Sequence, residues 1–574
     1  MNYVLTKTML DNSESVSFDR IDYHDGFGRL VETVQKAVSP TNKDIVTLQE
    51  YDFAGRITTI RQPVSIAGSG EYVPAAQINT AAQTFYNDYA AYRSIIYELS
   101  PLNRIENQIG PGGAWHSALD KGEKTAWFTN ASSGDYSCAL YVVASTISLQ
   151  KKGMPLAVVT STTSLRKKGV YAAGELFVTR NTDDDMNVSY VFSDKQGRTL
   201  LQREMNGNEQ SDTYFVYDDL GNLCYVLPPP AADALGATAT WDDTNATLKN
   251  YAYIYKYDGR NRCIQKKLPG CEPIVMKYDK ADRLIFSQDG NQAGNRWTFF
   301  FYDVFGRQTV AGIWKSDTLP ALDNLVVKTD YTGTGTLAGY AVNLYPLPAL
   351  DNLVVKTDYT GTGTVVGYAV NLSPLPAMDL LTVNYHDNHA FLDVSMSAQK
   401  DSLVFLNKGY DAQYPNAKGL LAGGRTYQLD DPSKYTVSAT YYDQRGRVVQ
   451  HHASNHLGGY DNEYFKYKFS GKTAQRMIIH SIPGTTKTET YYYNYGAPST
   501  NPGERLLDVK HKISPNTAQT TLAVLTYDET GRLLTKTRAG ELSTYHYNVR
   551  NWLTRITGTK FNQTLTYNIA VNGV

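Results

Sequence analysis

The sequence predicts an all-β protein built largely from tandem β-hairpins, on three observations. A hexapeptide, Tyr-Asp-x-x-Gly-Arg, recurs along the chain. Tyrosine is the dominant aromatic residue, with 44 Tyr against 18 Phe and 6 Trp, and it suits a sheet with one half-wet face. The chain also contains 44 Gly and 22 Pro, which supply turn residues throughout its 574 positions.

The hexapeptide occurs in complete and in degenerate form. The complete copies place their four defining residues at Tyr51, Asp52, Gly55 and Arg56; at Tyr302, Asp303, Gly306 and Arg307; at Tyr442, Asp443, Gly446 and Arg447; and at Tyr527, Asp528, Gly531 and Arg532. Degenerate copies begin at residues 24, 193, 217, 257, 278 and 547. Self-similarity at a spacing of tens of residues is typical of repeat architectures, so we interpret the chain as an array.

The chemistry of the hexapeptide predicts a hairpin. Tyrosine favours a strand, aspartate suits the first position of a type I turn, and glycine three residues later permits positive φ. Where glycine is replaced, the substitutes are Asn261, Asn551 and Asp282. Asparagine tolerates the left-handed region best after glycine, which favours the turn interpretation.

The spacing of the motif divides the chain into blocks. We expect a leading segment, an N-terminal β-rich domain, a repeat block, a duplicated insert and a truncated repeat block, at 1–11, 12–187, 188–312, 313–380 and 381–574 respectively. Within the N-terminal block, Phe85, Tyr89, Tyr92 and Ile96 would share a helical face, but a strand is nearly as compatible with the surrounding residues.

The insert contains a faithful tandem duplication. The segment from Leu319 to Thr336 recurs unchanged from Leu347 to Thr364, a period of 28 residues. A copy of this fidelity is best tolerated in an exposed loop or an extensible array.

Several clusters of residues have the chemistry of a binding site. Gly333-Thr334-Gly335 begins a dinucleotide-like pattern, but Pro346 follows where a helix would be needed. His386 and His389 have metal-ligand chemistry, yet a solvated turn is the simpler expectation.

The second histidine cluster and the acidic run have the same two readings. His451, His452 and His456 are expected in a loop that leaves the hairpin at 442, with a metal site as the alternative. The run Asp183–Asp185 is expected in an exposed turn, with a calcium loop as the alternative.

Other classes of site have weaker support. Four cysteines are expected to be unpaired, with a Cys263–Cys271 disulfide as the alternative. A formal net charge of -1 does not indicate binding to nucleic acid. No run of apolar residues approaches the roughly 18 that a membrane-spanning helix needs. We find no catalytic constellation and expect no enzyme activity, cofactor or metal. The N-terminus, Met1–Lys7, lacks the apolar core of an export signal.

The tyrosines and arginines of the motif have two readings. Aromatic faces stack on sugars and guanidinium groups bind hydroxyls, which favours carbohydrate recognition. Residues placed identically in every unit should instead form a structural ladder between neighbouring units, and we prefer this interpretation.

The array resembles the YD-repeat (RHS) proteins. Segments similar to the Bacteroidetes branch of that family are Gly26–Arg29, Ser100–Arg104, Asp430–Val437, Asn455–Asp461 and Tyr547–Thr554. The resemblance implies a spiralling sheet that closes as a hollow shell, here incomplete at the C-terminus. In related proteins a core domain with a self-cleaving aspartyl protease follows, and then a toxin segment; neither is found in this sequence.

The resemblance therefore implies a non-enzymatic shell or scaffold. Its expected partner is its own C-terminal core and toxin segment, and its expected location is secreted or at the cell surface. The alternative is a surface module that binds glycans.

Overall fold

The computed structural model describes residues 2–116, 121–145, 163–236, 239–292, 294–303, 305–316, 319, 325–331, 340–346, 377–394 and 396–567. Strands dominate this part of the chain, and short helices occur only in connections. None of its helices has the length and apolarity needed to cross a membrane.

The strands and helices are bounded as follows. The strands are β1 Asn2–Met9, β2 Ser17–His24, β3 Leu30–Gln35, β4 Asp44–Tyr51, β5 Ile57–Arg61, β6 Val64–Ile66, β7 Tyr92–Tyr97, β8 Ile105–Ile109, β9 Glu123–Thr129, β10 Ala139–Ser145, β11 Thr163–Val170, β12 Phe177–Thr182, β13 Val188–Ser193, β14 Thr199–Asn206, β15 Glu209–Tyr217, β16 Leu223–Leu227, β17 Thr240–Trp241, β18 Tyr253–Tyr257, β19 Cys263–Lys267, β20 Ile274–Tyr278, β21 Leu284–Gln288, β22 Arg296–Tyr302, β23 Gln308–Lys315, β24 Leu325–Tyr331, β25 Tyr340–Pro346, β26 Ala377–Asp387, β27 Ala417–Tyr427, β28 Tyr435–Tyr442, β29 Val448–Ser454, β30 Tyr460–Tyr467, β31 Thr473–Ile482, β32 Thr485–Asn494, β33 Asp508–Ile513, β34 Thr520–Tyr527, β35 Leu533–Arg538, β36 Glu541–Tyr547, β37 Leu553–Gly558 and β38 Asn562–Thr564. The helices are α1 Ala75–Tyr86, α2 Gly113–His116, α3 Pro229–Ala234, α4 Ala246–Tyr251, α5 Phe391–Val394 and α6 Lys400–Leu403, with single 3₁₀ turns at Gly134–Tyr136, Gly290–Gln292 and Ser397–Gln399.

One 33-stranded antiparallel sheet contains most of these strands. Each strand pairs with the next in chain order, so the sheet is a long meander. There are three exceptions. Strand β6 pairs with β4, next to β5 along the same edge of β4. Strands β10, β11 and β17 form a small separate sheet, and β24 and β25 form a separate hairpin. The large sheet is not closed, because β1 and β38 lie at opposite ends of the meander and each has one strand partner. The all-β prediction is confirmed.

The N-terminal block is continuous with the repeats. Strand β9 pairs directly with β12, with Thr129 opposite Phe177, so the sheet crosses the connection that contains β10 and β11 without a break. The helical face that Phe85 would share with Ile96 does not form, whereas the strand alternative holds for Tyr92 and Ile96. Phe85 lies in α1, which ends where Asn87 adopts φ 50°, and Ile96 lies in β7.

The meander gives the sheet two chemically different rims. Consecutive connections of an antiparallel meander lie at alternate ends of the strands. Every Tyr-Asp-x-x-Gly-Arg turn therefore lies on one rim, which we call the motif rim. The opposite rim contains the alternate connections, including those between β3 and β4, β5 and β7, β8 and β9, and β12 and β13.

Helical connections cover one face of the sheet, because a single sheet cannot bury a face alone. Near the N-terminus, Ile78 of α1 is fully buried against the strands, and Leu248 of α4 is buried farther along. The connection between β26 and β27 contributes Phe391 and Leu403 to the third core. Each helical segment thus supplies a local second layer.

The duplicated insert leaves and rejoins the sheet at one place. Strands β23 and β26 pair directly, and Lys315, the last residue of β23, lies opposite Ala377, the first of β26. Among the residues that the structure describes, strands β24 and β25 of the insert pair only with each other. The pairing of β23 with β26 therefore closes the base of the insert.

Deletion of one 28-residue unit, Asp323 through Leu350, should leave the sheet intact, because the β23-β26 pairing does not depend on the length between them. The thermal midpoint of the purified variant, measured by circular dichroism, should stay close to that of the wild type. As a control, removal of β28 and β29, residues 435–454, should prevent folding. Insolubility of the insert deletion would contradict this prediction.

Candidate functional site

The candidate site is the row of hairpin turns on the motif rim. In the copy at 527, the Asp528 N–H donates to the Arg532 carbonyl and the Gly531 N–H donates to the Asp528 carbonyl, both at 2.9 Å. Gly531 has φ 91°. The Asp528 carboxylate accepts from the Thr530 and Arg532 backbone N–H groups at 3.0 Å and from Arg532 Nε at 2.6 Å. One aspartate thus fixes the turn and its flanking arginine.

The other complete copies share this clamp. Their Asp–Arg distances are 2.8 Å for Asp52–Arg56, 2.6 Å for Asp303–Arg307 and 2.6 Å for Asp443–Arg447. The hydrogen bonds from Arg56 lower the pKa of Asp52, so the clamp is intact above the ordinary carboxylate range and weakens in acid.

The residues that replace glycine adopt the same conformation. Asn261, Asp282 and Asn551 have φ of 60°, 61° and 63°. The turn interpretation of the hexapeptide is confirmed.

A β-bulge accompanies each turn, and strict alternation did not anticipate it. At the copy at 527, Tyr527 lies opposite Leu533 and Thr526 opposite Thr535, so Leu534 has no partner across the ladder. The bulge turns two consecutive residues toward the same face. Buried pairs at this position are Leu200 with Leu201, Cys224 with Tyr225, Ile285 with Phe286, and Val449 with Gln450.

Most hairpins of this rim are tied to the next by an arginine and a tyrosine. The guanidinium of one motif stacks on the tyrosine of the following one, at 4.6 Å for Arg29 on Tyr51 and 4.5 Å for Arg447 on Tyr467. The same tyrosine donates its hydroxyl to a carbonyl of the preceding hairpin; Tyr51 bonds the Leu30 carbonyl at 2.7 Å. The motif side chains therefore form a ladder along the rim.

Two turns of the ladder were not predicted from the sequence. One follows Tyr467, where the Lys468 N–H donates to the Lys472 carbonyl at 2.8 Å and the Gly471 N–H donates to the Lys468 carbonyl at 3.0 Å.

The other unpredicted turn runs from Glu98 to Arg104. The Glu98 N–H donates to the Arg104 carbonyl at 3.0 Å, and the two side chains pair at 2.6 Å. Arg56 stacks on Tyr97, and Arg104 on Trp127 at 4.2 Å. The sequence signal for the turn from Glu98 to Arg104 is Tyr97-Glu98 with an arginine six residues after the glutamate.

The motif rim of the last strands contacts the opposite rim of the first strands. Arg550 stacks on Trp115 at 3.9 Å, donates from Nε to the Pro111 carbonyl at 3.0 Å, and pairs with Asp184 at 3.2 Å. Trp115 Nε1 donates to the same carboxylate at 3.3 Å. Contacts of this kind join segments hundreds of residues apart. We call them the seam.

The turn at 527 forms the second part of the seam. Thr41 donates its hydroxyl to Glu529 at 2.8 Å, and Lys43 lies 3.9 Å from the same carboxylate. The Arg532 guanidinium lies 5.3 Å from the Phe85 ring. The sheet has therefore wound through one superhelical turn and packs on itself through side chains.

Val549 links the seam to the N-terminal core. It is 8% exposed at the tip of its turn and packs among the core residues that include Ile78 and Ala91. Gln62 donates to its carbonyl at 3.0 Å. A turn tip that would be exposed in an isolated hairpin is buried by the next winding.

The acidic run lies in a turn. The Asp183 carboxylate accepts from the Asp185 and Asn187 backbone N–H groups, and Asp184 is the residue bound by Arg550. The part of the chain that the structure describes holds no group of three or more His, Cys, Asp or Glu side chains arranged to hold a metal ion.

The histidine expectations need correction. His451 and His452 lie within β29 rather than in a loop, and His452 is fully buried, because the strand extends beyond the hairpin. His389 Nε2 donates to the Thr440 carbonyl at 2.9 Å and stacks on Tyr441 at 4.2 Å, whereas His386 lies at the end of β26. The two histidines of that pair do not converge.

Burial, together with a smaller effect of the neighbouring His451, lowers the pKa of His452 to about 4. The Tyr441 and Tyr464 rings pack on His452 from the strands on either side, at 5.9 and 5.4 Å. Burial also lowers the pKa of His389 and of His451. These histidines are neutral in the folded protein at pH 7.

The cysteines are unpaired: all four, Cys138, Cys224, Cys263 and Cys271, are free thiols. A cavity of about 270 Å³ lies between β10 and the turns at 193 and 217, lined by Tyr141, Tyr171 and Tyr217. Of its carboxylates, Asp194 is bound by Arg198 and Asp218 by Asn222. The pattern at Gly333 lies outside the described residues.

Several solved structures and one family model resemble the chain. A model described as a domain of unknown function, DUF6443, matches residues 2–128. TcdB2–TccC3 without its hypervariable C-terminal region aligns with a TM-score of 0.56 and 11% identity, over 98% of this chain and 22% of that one. TcdB2–TccC3 aligns with a TM-score of 0.55 and 11% identity, over 98% of this chain and 22% of that one. TcdB2–TccC3–Cdc42 aligns with a TM-score of 0.55 and 11% identity, over 97% of this chain and 21% of that one. No curated protein matches the sequence.

The likeness is one of fold. The chain spans about a fifth of the length of these structures. They share the all-β fold of this array.

Substitution of glycine by alanine at three positions should separate strain from contact in the turns. Gly531 has positive φ, and an added Cβ would lie 2.8 Å from the Arg505 guanidinium. Gly540 has positive φ and open space, and Gly259 has open space without positive φ. Gly540→Ala should lower the free energy of unfolding by about 1 kcal/mol and Gly531→Ala by more, whereas Gly259→Ala should be neutral.

Urea unfolding of the three alanine variants measures these differences. Equal effects at Gly531 and Gly259 would contradict the turn geometry, since only the first has the left-handed conformation.

Acid should weaken the folded state through His452. Its pKa in the folded protein, about 4, lies below its ordinary value of about 6.5, so the unfolded chain binds the extra proton between these pH values. The stability that His452 provides by remaining neutral is fully present above pH 6.5. As the pH falls from 6.5 toward 4, the free energy of unfolding decreases through this residue by up to about 3 kcal/mol. His452→Leu should flatten the decrease in unfolding free energy between pH 7.5 and 4.5, measured with urea. His456→Asn, in an exposed turn, is the control, and an unchanged slope in His452→Leu would refute the assignment.

Proposed function

We propose that this chain is a non-enzymatic wall of an RHS-type shell that encloses and delivers a C-terminal toxin segment. The observation that supports the proposal best is the seam. A sheet that returns to pack rim against rim can bound an interior, whereas a flat or open array cannot. The fold likeness to TcdB2–TccC3 supports the same role.

The chemistry of the seam suits a durable wall. Arg550 is held at once by an aromatic ring, a carbonyl and a carboxylate, and its side chain is 9% exposed. Removing either partner of a largely buried, hydrogen-bonded ion pair destabilises the folded state, because the other charge is left buried without a partner. The ladder adds the same kind of connection along the rim, since each arginine bridges to the next hairpin.

The partner in this proposal is the protein's own C-terminal core and toxin segment, and the location is secreted or at the cell surface. These assignments come from the family resemblance of the repeats. A Bacteroidetes-type member would have the same arrangement.

Glycan recognition at the motif residues has less support. The motif tyrosines that would stack on a sugar already stack on arginines, and their hydroxyls already donate to carbonyls. Retention of the purified chain on a glycan array would favour this alternative.

A protease-sensitive, unfolded reporter joined after Val574 tests the shell. If the wall encloses it, digestion of the reporter should be about ten-fold slower than digestion of the free reporter, because cleavage must wait for opening. Arg550→Ala should reduce this protection, since it opens the seam. Arg445→Ala is the matched control: Arg445 holds the same motif position but contacts only the neighbouring turn, at Phe469.

Digestion of the joined reporter at the rate of the free reporter would contradict the enclosure. Activity assays on peptide, ester and glycoside substrates test the non-enzymatic part, and turnover by the purified chain would refute it.

A further inference from the structure

The connection from β6 to α1, residues 67–74, leads into the seam, and we call it the α1 entry. The Val73 N–H donates to the Glu32 carboxyl group of β3 at 2.9 Å. Pro74, the N-cap residue of the helix, provides no side-chain hydrogen bond. Glu32 therefore holds the backbone immediately before α1 begins.

Two further side chains of the first strands hold the α1 entry at Gly70. The Tyr23 hydroxyl donates to the Gly70 carbonyl at 2.7 Å. The Asp44 carboxylate accepts from the Gly70 N–H at 2.7 Å and from the Ala37 N–H at 2.8 Å, so each of its oxygens has a donor. These contacts join the α1 entry to β2 and β4.

Glu32 is buried in an apolar environment. It is 0% exposed, and within the described part of the chain its Oε2 has no hydrogen-bond partner. Tyr23 lies opposite it on β2, and Leu48 lies opposite it on β4. Tyr72 of the α1 entry packs edge to face on Tyr23 at 5.6 Å. A carboxyl group among phenol and hydrocarbon side chains, with a single donor, favours the protonated form.

Burial raises the pKa of Glu32 to about 7, and the Val73 N–H opposes this shift in part. Burial also raises the pKa of Tyr23 and of Tyr72, so both phenols stay neutral at this pH. Of these three side chains, Glu32 is the one whose charge changes near neutral pH.

The other charged groups near the α1 entry have different partners. Hydrogen bonds from Ser69 and, to a smaller extent, the charge of Lys36 lower the pKa of Glu71 to about 2. Glu71, which is exposed, is therefore ionised throughout the neutral range. Burial and the Val73 N–H determine the pKa of Glu32, whereas Lys36 acts on Glu71.

Helix α1 connects this segment to the seam. The Phe85 and Tyr86 rings, in the last turn of the helix, lie 5.3 and 5.4 Å from the Arg532 guanidinium of the turn at 527. Thr80 of the helix and Glu529 of the same turn line a groove between them. A change at the α1 entry therefore reaches the turn at 527 through one short helix.

We propose that Glu32 is a proton switch for the seam: the protonated carboxyl group holds the α1 entry, and loss of its proton releases α1 from the turn at 527. The carboxylate that forms is a buried charge with one hydrogen bond, and it becomes hydrated only when the α1 entry opens. An effect on enclosure rests on the wall function proposed above, whereas the release of α1 does not.

The sign of the pH dependence follows from the raised pKa of Glu32. Because its pKa in the folded protein, about 7, lies above the ordinary value of 4.5, the stability that the protonated group provides is fully present below pH 4.5. This stability is lost as the pH rises through 7. Rising pH therefore favours opening of the α1 entry, which is opposite to the effect of His452.

Hydrogen–deuterium exchange of the whole chain at pH 6 and pH 8.5 measures the opening, after correction for the chemical exchange rate at each pH. The peptides to follow cover residues 67–86 and 525–532, with residues 448–482 as the reference. Glu32→Gln keeps the shape of the side chain and stays neutral. Glu71→Gln is the matched control, since it removes an exposed carboxylate from the same segment. Circular dichroism at each pH verifies the fold.

In the wild type and in Glu71→Gln, the open fraction of residues 67–86 should rise about ten-fold from pH 6 to pH 8.5, and residues 525–532 should follow. In Glu32→Gln this rise should be absent. Equal protection of the wild type at the two pH values would overturn the proposal, whether or not Glu32→Gln folds, and so would a persisting rise in Glu32→Gln. A response of residues 67–86 that did not extend to 525–532 would overturn the link to the seam.

The reporter joined after Val574 separates the switch from the wall function. If residues 67–86 show the pH-dependent opening while the reporter is digested freely at both pH values, the wall function fails and the proton switch stands. Protection of the reporter without pH-dependent exchange gives the reverse result.

Discussion

The clamp between the motif aspartate and arginine is the interaction on which the rest of the sheet depends. The Asp528 carboxylate accepts from two backbone N–H groups and from Arg532 Nε. It therefore fixes the turn, the bulge that follows, and the direction of the arginine. The bound arginine then lies over the Tyr547 ring, at 5.1 Å, and so positions the next hairpin. Because successive hairpins repeat these local hydrogen bonds, the arrangement of one hairpin relative to the next is repeated along the whole sheet.

A sheet made this way leaves each strand with two faces to cover. The bulge directs two adjacent side chains, such as Leu200 and Leu201, to the covered face, which enlarges the apolar area there. Helical connections and the small sheet β10-β11-β17 supply the second layer in separate places. The rims cannot be covered in this manner, since their connections end in solvent. Packing of rim against rim at the seam is the remaining way to bury them.

The sequence predicted the hairpin turns, which local chemistry determines. It did not predict the contacts between segments that only the winding of the sheet brings together. Aspartate, glycine and their spacing were sufficient for the turns, and even the substitutions at Asn261 and Asn551 could be understood. The longer turn from Glu98 to Arg104 escaped because its loop breaks the spacing, although its ion pair does the same work. The Arg550–Asp184 contact was beyond reach because nothing local links the two residues. His452 was placed in a loop because Gly458 and Gly459 follow, whereas its strand continues to Ser454.

The polarity of the winding, with a motif rim packed on an opposite rim, follows from where the clamp lies. Because an antiparallel meander returns to the same rim at every second connection, a motif that appears once per hairpin can occupy only one rim. The other rim receives connections of varied length and composition, from the two residues between β35 and β36 to the segment that contains α1. The motif rim is held at most of its turns by aspartate and arginine, but it also contains the longer connections between β9 and β12, β26 and β27, and β32 and β33. At the seam, a motif turn packs on a connection of the opposite rim through side chains particular to that place. Arg550 contacts Asp184 and Trp115 in this way, so these side chains help to set the register of the superhelix.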